Sequence, residues 1–394
     1  MILLQKLSGV FIAFIISISI FGCDVGSGDK DSPDNNSTIE NQDTPENNDE
    51  AEDSSESDND NEYGDTIEPD NNPITQLGIK KLLIFYSWPS AINGAGLTSD
   101  PVASAAAEYS NYDYVVLNRT FTDSDCPQET VSAIIAHPSC VNTKFFGYID
   151  LGMLATSQRL SISEISTRIE AWKVMGVEGI FFDEFGYDYE VTRSRQNEAV
   201  DEVHAVLSNK SGNALSVIAN AWNIDDVFGT IVNSASNPQG CASHMGSGDY
   251  FLLESFFISE GNFVDSASPS NLMTAVEKMN DASQYHTLYG SMPLTITTNS
   301  DTALYDENKF WYSWYAAIIL GAEGAGWGEY VFSASGSAID SSPFRQRPTL
   351  NFGSAYTGEI TVSGNLIQRK TDAGLLFINT ADHSYGFIPN SPRK

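Results

Sequence analysis

From about residue 80 onwards, short apolar runs rich in β-branched and aromatic residues alternate with amphipathic stretches, the pattern of βα units around a buried parallel sheet. The runs are KLLIFY (81–86), YDYVVL (112–117), KFFGYI (144–149), GIFF (179–182), ALSVIA (214–219) and YFLL (250–253). A seventh falls at 287–292, with 293–297 as its alternative, and GAGWGEY (324–330) makes the eighth. Between the third and fourth runs Ser161 and Glu164 have the spacing of a capping box. Ile165, Ile169 and Trp172 then form a helical stripe that Gly176 stops. Further helices are predicted over 192–207, where Val200, Val203 and Leu207 recur at helical spacing, around 271–282, and over FWYSWYAAIILGA.

Eight such strands in about 260 residues predict an α/β fold, a (β/α)8 barrel, over 78–332. A doubly wound open sheet is the alternative fold; it is disfavoured because no GxGxxG turn follows the first run. From residue 333 to 394 the runs GEITVSG, NLIQRK and AGLLFINT read as β-hairpins that pack on the barrel as an accessory sheet.

The first 77 residues have a different character. Lys6, an apolar run from Val10 to Phe21, and then Gly22 and Cys23 are laid out as a secretory signal of the lipoprotein type, with Cys23 as the lipidated residue. The apolar run is shorter than the roughly 20 residues of a membrane-spanning helix. Residues 24–77 form an acidic linker: 24–73 carry 18 Asp and Glu against the single Lys30, with few apolar side chains, so the segment is expected to stay disordered and extended by self-repulsion. An exported protein, lipid-anchored to the bacterial cell envelope, is the expectation.

Of the whole chain's formal charge of −32, the part after the linker carries −16, from 34 acidic and 18 basic residues. That part lacks the basic footprint needed to bind phosphate, which argues against nucleic acid as a partner, whereas a neutral or cationic polymer suits it. In an oxidising compartment Cys126 and Cys140 are expected to pair, leaving Cys241 free. The five histidines show no HExxH spacing and the cysteines no CxxC, so neither a metal nor a cofactor is predicted. Neither a GxSxG elbow nor a P-loop occurs.

In a barrel of this kind the chemistry sits where strands end. The strand ends here are Tyr86, Asn118, Asp150, the pair Asp183 and Glu184, Asn220 with Trp222, Glu254, and Glu329 beside Trp327. Asp183 and Glu254 stand out because each closes a wholly apolar run, where a charge beside the core is costly unless something uses or compensates it. Glycoside cleavage needs two such carboxyls, one protonated and one ionised; a separation of about 5 to 5.5 Å implies retention of configuration and about 6.5 to 9.5 Å inversion. Asp183 and Glu254 are the predicted catalytic pair. Tyr86, Asp150, Glu184, Asn220, Trp222, Trp327 and Glu329 are the predicted sugar-binding residues, and Trp172 and Trp311 are read as core.

The segment GVEGIFFDEFGYDY, followed by RSRQN and ANAWNIDDVF, resembles the fourth and fifth strands of glycoside hydrolase family 114 and the related spherulin 4-like barrels. That resemblance covers about residues 80–330 and implies an endo-acting enzyme on α-1,4-linked galactosamine polymers, with Asp183 as the catalytic Asp and Glu254 as its partner. Glu184 and the loop FGYDYEVTRSRQN depart from the family pattern, which bears on the substrate more than on the fold. The competing expectations are a surface polysaccharide-binding barrel without turnover and a glycosidase for another glycan.

Overall fold

The computed structural model describes residues 77–117, 128–264, 274–299, 304–332, 334 and 339–391. Eight parallel strands close into a barrel: β1 (Lys80–Phe85), β2 (Tyr114–Leu117), β3 (Lys144–Asp150), β4 (Gly179–Asp183), β5 (Ser216–Asn220), β6 (Tyr250–Leu253), β7 (Met292–Thr297) and β8 (Gly324–Trp327). Closure is between β1 and β8, where Lys80 pairs with Gly324 and Leu82 with Gly326. The helices between consecutive strands are α1 (Pro101–Tyr109), α2 (Gln128–Ile135), α3 (Ile162–Met175), α4 (Arg193–His204), α5 (Ile224–Phe228), α6 (Ala275–Tyr289) and α7 (Glu307–Leu320).

Two cores result from the two-residue period of the strands. Leu82, Ile84, Tyr114, Val116, Phe146, Tyr148, Phe181, Ile218, Tyr250, Leu252, Leu294 and Ile296 fill the barrel, while the alternate residues pack against the helices. Continuing the inward row by two residues reaches Tyr86, Asp150, Asp183, Asn220 and Glu254, so the parity that fills the barrel also points these side chains into its mouth.

α3 has the expected capping box, with Ser161 N donating to Glu164 Oε2 at 2.7 Å, and Gly176 ends it in the left-handed region. Gly147 on β3 makes room for Trp172 of α3: a Cβ there would lie 2.1 Å from the indole, whose Nε1 instead donates to Tyr148 O at 3.1 Å. The seventh strand is the 293–297 alternative extended by Met292, not 287–292. α6 starts at its own capping box, Thr274 with Glu277, and continues through Thr287 to a left-handed Gly290; Tyr285 and Tyr289 pack on Phe228.

Among the described residues no eighth helix follows β8. An extended segment covers the gap between α7 and α1: Phe344 meets Tyr112, Phe352 meets Trp314, and the Arg347 guanidinium lies over Tyr112 and Phe310. The C-terminal strands form a four-stranded antiparallel sheet, β9 (Thr361–Ser363), β10 (Leu366–Lys370), β11 (Gly374–Asn379) and β12 (Tyr385–Pro389). Its buried Leu376 and Ile378 join the outer core, and Tyr385 packs on Tyr315 of α7.

Of the two cysteines expected to pair, Cys126 lies outside the described residues and Cys140 lies within them. Cys140 is a buried free thiol whose Sγ–H donates to Ala106 O at 3.4 Å, and burial pushes it up to about 11, which suits an inert packing role. Cys126 and Asn118 lie outside the described residues, as do Cys23 and nearly all of the predicted signal and linker. No described helix is long and apolar enough to cross a membrane.

Candidate active site

Register decides which side chains meet. Phe182 pairs with Ala219 and Asn220 with Leu252, so Asp183 stands beside Asn220, and Glu254 comes two residues above the Asn220 level on the neighbouring strand. Asn220 Nδ2 donates to Asp183 Oδ1 at 2.9 Å and to Glu254 Oε2 at 2.8 Å. One amide therefore uses its two hydrogens to hold both carboxyls. Because the two contacts share a nitrogen, the oxygens are at most about 5.7 Å apart, the two bonds laid end to end, and about 5 Å apart if each follows one N–H.

Both carboxyls sit against the barrel wall with part of their surface open to the mouth, and burial raises both above the usual carboxylate range. Their partners differ. Asp183 is offset by three donors: the Tyr148 hydroxyl to Oδ2 at 2.7 Å, the Asn220 amide, and Glu184 N to Oδ1 at 3.0 Å. Glu254 is raised by burial and then by the charge of Asp183, against the Asn220 amide and the charge of Lys278. The donors favour ionised Asp183, and its charge favours protonated Glu254, the division of labour that acid and nucleophile require.

After each of these carboxyls the chain turns sharply. Glu184 has φ 54° and Ser255 has φ 55°, conformations that L-residues adopt at a cost, so the acid that closes β4 and the acid just after β6 are each followed by a left-handed residue.

The predicted binding residues divide. Tyr86 is at the mouth, with its ring edge-on to Tyr148 at 5.8 Å and 5.2 Å from Phe332; burial and the charges of Asp183 and Glu254 hold its hydroxyl well above its ordinary value. Trp222 is also there, its buried Nε1–H without a partner and the Lys278 ammonium 4.8 Å from its ring centre. Asp150 pairs in register with Asp183, but it holds a loop: Oδ1 accepts from Gly152 N at 2.8 Å and Oδ2 from Gln158 N at 3.0 Å. Glu184 accepts a short hydrogen bond from Ser157 Oγ and is pushed up to about 7, first by burial and then by the charges of Asp150 and Asp183.

Trp327 and Glu329 are structural in position. Gly324 and Gly326 take the inward places on β8, so Trp327 faces outward and is buried edge-on against Tyr305 and Phe310 at 5.2 and 5.7 Å. Glu329 is held by both forks of Arg345, at 2.7 and 2.9 Å. Sequence reasoning missed Tyr148 and Lys278. Tyr148 belongs to the same inward row as Asp150, which is the signal that could have found it; Lys278 comes from a helix and gives none.

Among the described residues no group of three or more His, Cys, Asp or Glu side chains could hold a metal ion. No family model matches the chain, and no curated protein matches it. Among solved structures it is similar to the glycoside hydrolase domain of PelA from Pseudomonas aeruginosa, at 10% identity over 67% of this chain and 99% of that one, with a TM-score of 0.37. It is also similar to alpha-galactosidase I from Mortierella vinacea, at 12% identity over 78% and 82% of the two chains with a TM-score of 0.42. A third is pyruvate carboxylase from Rhizobium etli, at 10% identity over 64% of this chain and 23% of that one, with a TM-score of 0.37.

Proposed function

We propose that the barrel is a retaining glycoside hydrolase in which Asp183 is the nucleophile and Glu254 the acid and base. The observation that supports this is the Asn220 amide bonded to both carboxyls at 2.9 and 2.8 Å, which keeps the two bonded oxygens within about 5.7 Å of each other, close enough for the short carboxyl spacing of a retaining pair. Asp183, in the carboxylate form that its three donors favour, attacks the anomeric carbon while Glu254 gives its proton to the departing glycosidic oxygen. Glu254, now a carboxylate, then takes a proton from water as that water displaces Asp183 from the sugar. Tyr86 and Trp222 offer aromatic faces to the sugar rings.

The substrate we propose is an amino-sugar polymer of the galactosamine type, cut within the chain. This rests on the family resemblance of the β4 and β5 segments and on the acidic balance of the residues after the linker, with Glu184 next to Asp183 and Asp226 in α5 accepting from Tyr187 N in the turn after β4. Export, lipidation at Cys23 and a tether over 24–77 complete the proposal, supported by the signal-like and acidic composition of those residues.

The test uses purified protein with de-N-acetylated and acetylated α-1,4-galactosamine oligosaccharides. Release of shorter oligosaccharides, lost in D183N and E254Q, is expected, and proton NMR should show the first-formed anomer with the configuration of the substrate. Binding without release would leave a polysaccharide-binding barrel; full activity in either variant would remove that residue from the reaction.

A further inference from the structure

Lys278 is the fourth residue of α6, where an amphipathic pattern places lysines in solvent, yet it is only 5% exposed. Its Nζ donates to the main-chain oxygen of Glu254 at 2.8 Å and lies 4.8 Å from the centre of the Trp222 ring. A buried ammonium is costly unless it is paired, and this one is compensated by a carbonyl, an aromatic face and the Glu254 carboxyl. Each of those three groups belongs to the mouth. The side chain thus spends its burial on the positions of one acid and one sugar-facing ring.

We propose that Lys278 is a positioning residue, a buried cation that ties the backbone of Glu254 to the face of Trp222 and acts through Glu254 on the proton that Glu254 gives up. This rests on the reading of Glu254 as the acid. The groups facing that carboxyl are Asp183 from β4, Tyr86 from β1, Tyr189 from the turn after β4, the neutral Asn220 from β5 and Lys278 from α6. Lys278 is the positive one among them. Glu254 becomes an anion beside Asp183 when it protonates the leaving group, and a fixed cation on its other side offsets the charge that appears. Burial lowers Lys278 itself to about 8, with the Glu254 charge opposing, while the Glu254 carbonyl and the Trp222 face favour its ammonium form.

The same placement couples recognition to chemistry. The ring on which a sugar would stack is thus the ring that the ammonium packs against, and the ammonium in turn holds the backbone of Glu254. A neutral side chain of similar length preserves the packing and removes the charge.

The experiment titrates Glu254 directly, without substrate, by carbon-13 NMR of protein carrying glutamate labelled at the side-chain carboxyl, with E254Q identifying the resonance. K278M should raise the Glu254 midpoint by about one pH unit, the size expected for loss of a nearby opposite charge, and K278R should keep it close to wild type. K278Q is a second neutral variant with the same expected shift, and circular dichroism checks each fold. On the galactosamine oligosaccharides the alkaline limb of kcat/KM should move upward in K278M by the same amount. A folded K278M or K278Q with an unchanged Glu254 midpoint overturns the proposal and leaves the two-carboxylate reading intact. Failure of every glycan to react overturns that reading while the titration still decides the role of Lys278.

Discussion

At the scale of single residues the site depends on one amide. Asn220 lowers both Asp183 and Glu254 by donating to each, and no other donor among the described residues bridges them. In N220A both carboxyls should therefore protonate at higher pH, moving the acid limb of kcat/KM upward, and kcat should fall by about 100-fold, as for loss of one preorganised donor. A pH–rate profile checks both. Asp183, Asn220 and Glu254 were legible in the sequence because each ends an apolar run whose two-residue alternation can be extended to the rim. Trp327 was misread for the same reason in reverse: its run, GAGWGEY, supplies glycines at the inward positions, so the run has no side-chain parity to read. Lys278 was illegible because a lysine on a helix carries no mark of burial until the helix is docked.

At the scale of elements the β3–α3 loop shows how a predicted binding residue becomes an anchor. Asp150 takes two backbone amides of the loop, Met153 N donates to Tyr189 O at 2.9 Å, and Arg195 of α4 donates to Leu151 O at 3.0 Å and Leu160 O at 2.6 Å. The loop is thus held from β3, α4 and the turn after β4, and it presses Ser157 onto Glu184, the residue after the nucleophile. Gly152 leaves room for this contact: a Cβ there would lie 2.0 Å from Glu184 Oε2 and 2.4 Å from Ser157 Oγ, and those side chains would have to move. D150A should leave two amides without acceptors, cost about 2 kcal/mol in urea denaturation and speed amide exchange at Gly152 and Gln158. Unchanged exchange at those two amides would mean that the other anchors suffice. The barrel strands were legible from periodicity, within a few residues at their ends. The replacement of the eighth helix by an extended segment was not, because Arg347 and Phe352 reveal their partners only once the closed barrel brings Tyr112, Phe310 and Trp314 to one face.

At the scale of the whole molecule the carboxyls that burial raises determine how stability varies with pH. Glu184 is pushed up to about 7 and Asp226 to about 6, and Asp183 and Glu254 are raised as well. Between their unfolded values near 4 and these folded values the native state holds protons that the unfolded chain has released, so stability falls as pH rises through that window. His204, raised chiefly by its hydrogen bond to Asp249, adds to the trend: its contribution is complete below about 6.5 and is lost as pH rises through its folded value. The net charge of −16 after the linker works in the same direction, because carboxylate repulsion grows with pH. The two causes separate by salt. Repulsion between exposed charges is screened within about 8 Å at physiological ionic strength, whereas the cost of ionising a buried carboxyl is screened much less. The melting temperature should therefore be higher at pH 5 than at pH 8, and 0.5 M sodium chloride should narrow the gap without closing it. E184Q, which removes one buried ionisation, should melt higher than wild type at pH 8 and little differently at pH 5. If salt alone abolishes the pH dependence, the mouth carboxyls do not contribute to it and their ionisation in the folded protein is ordinary.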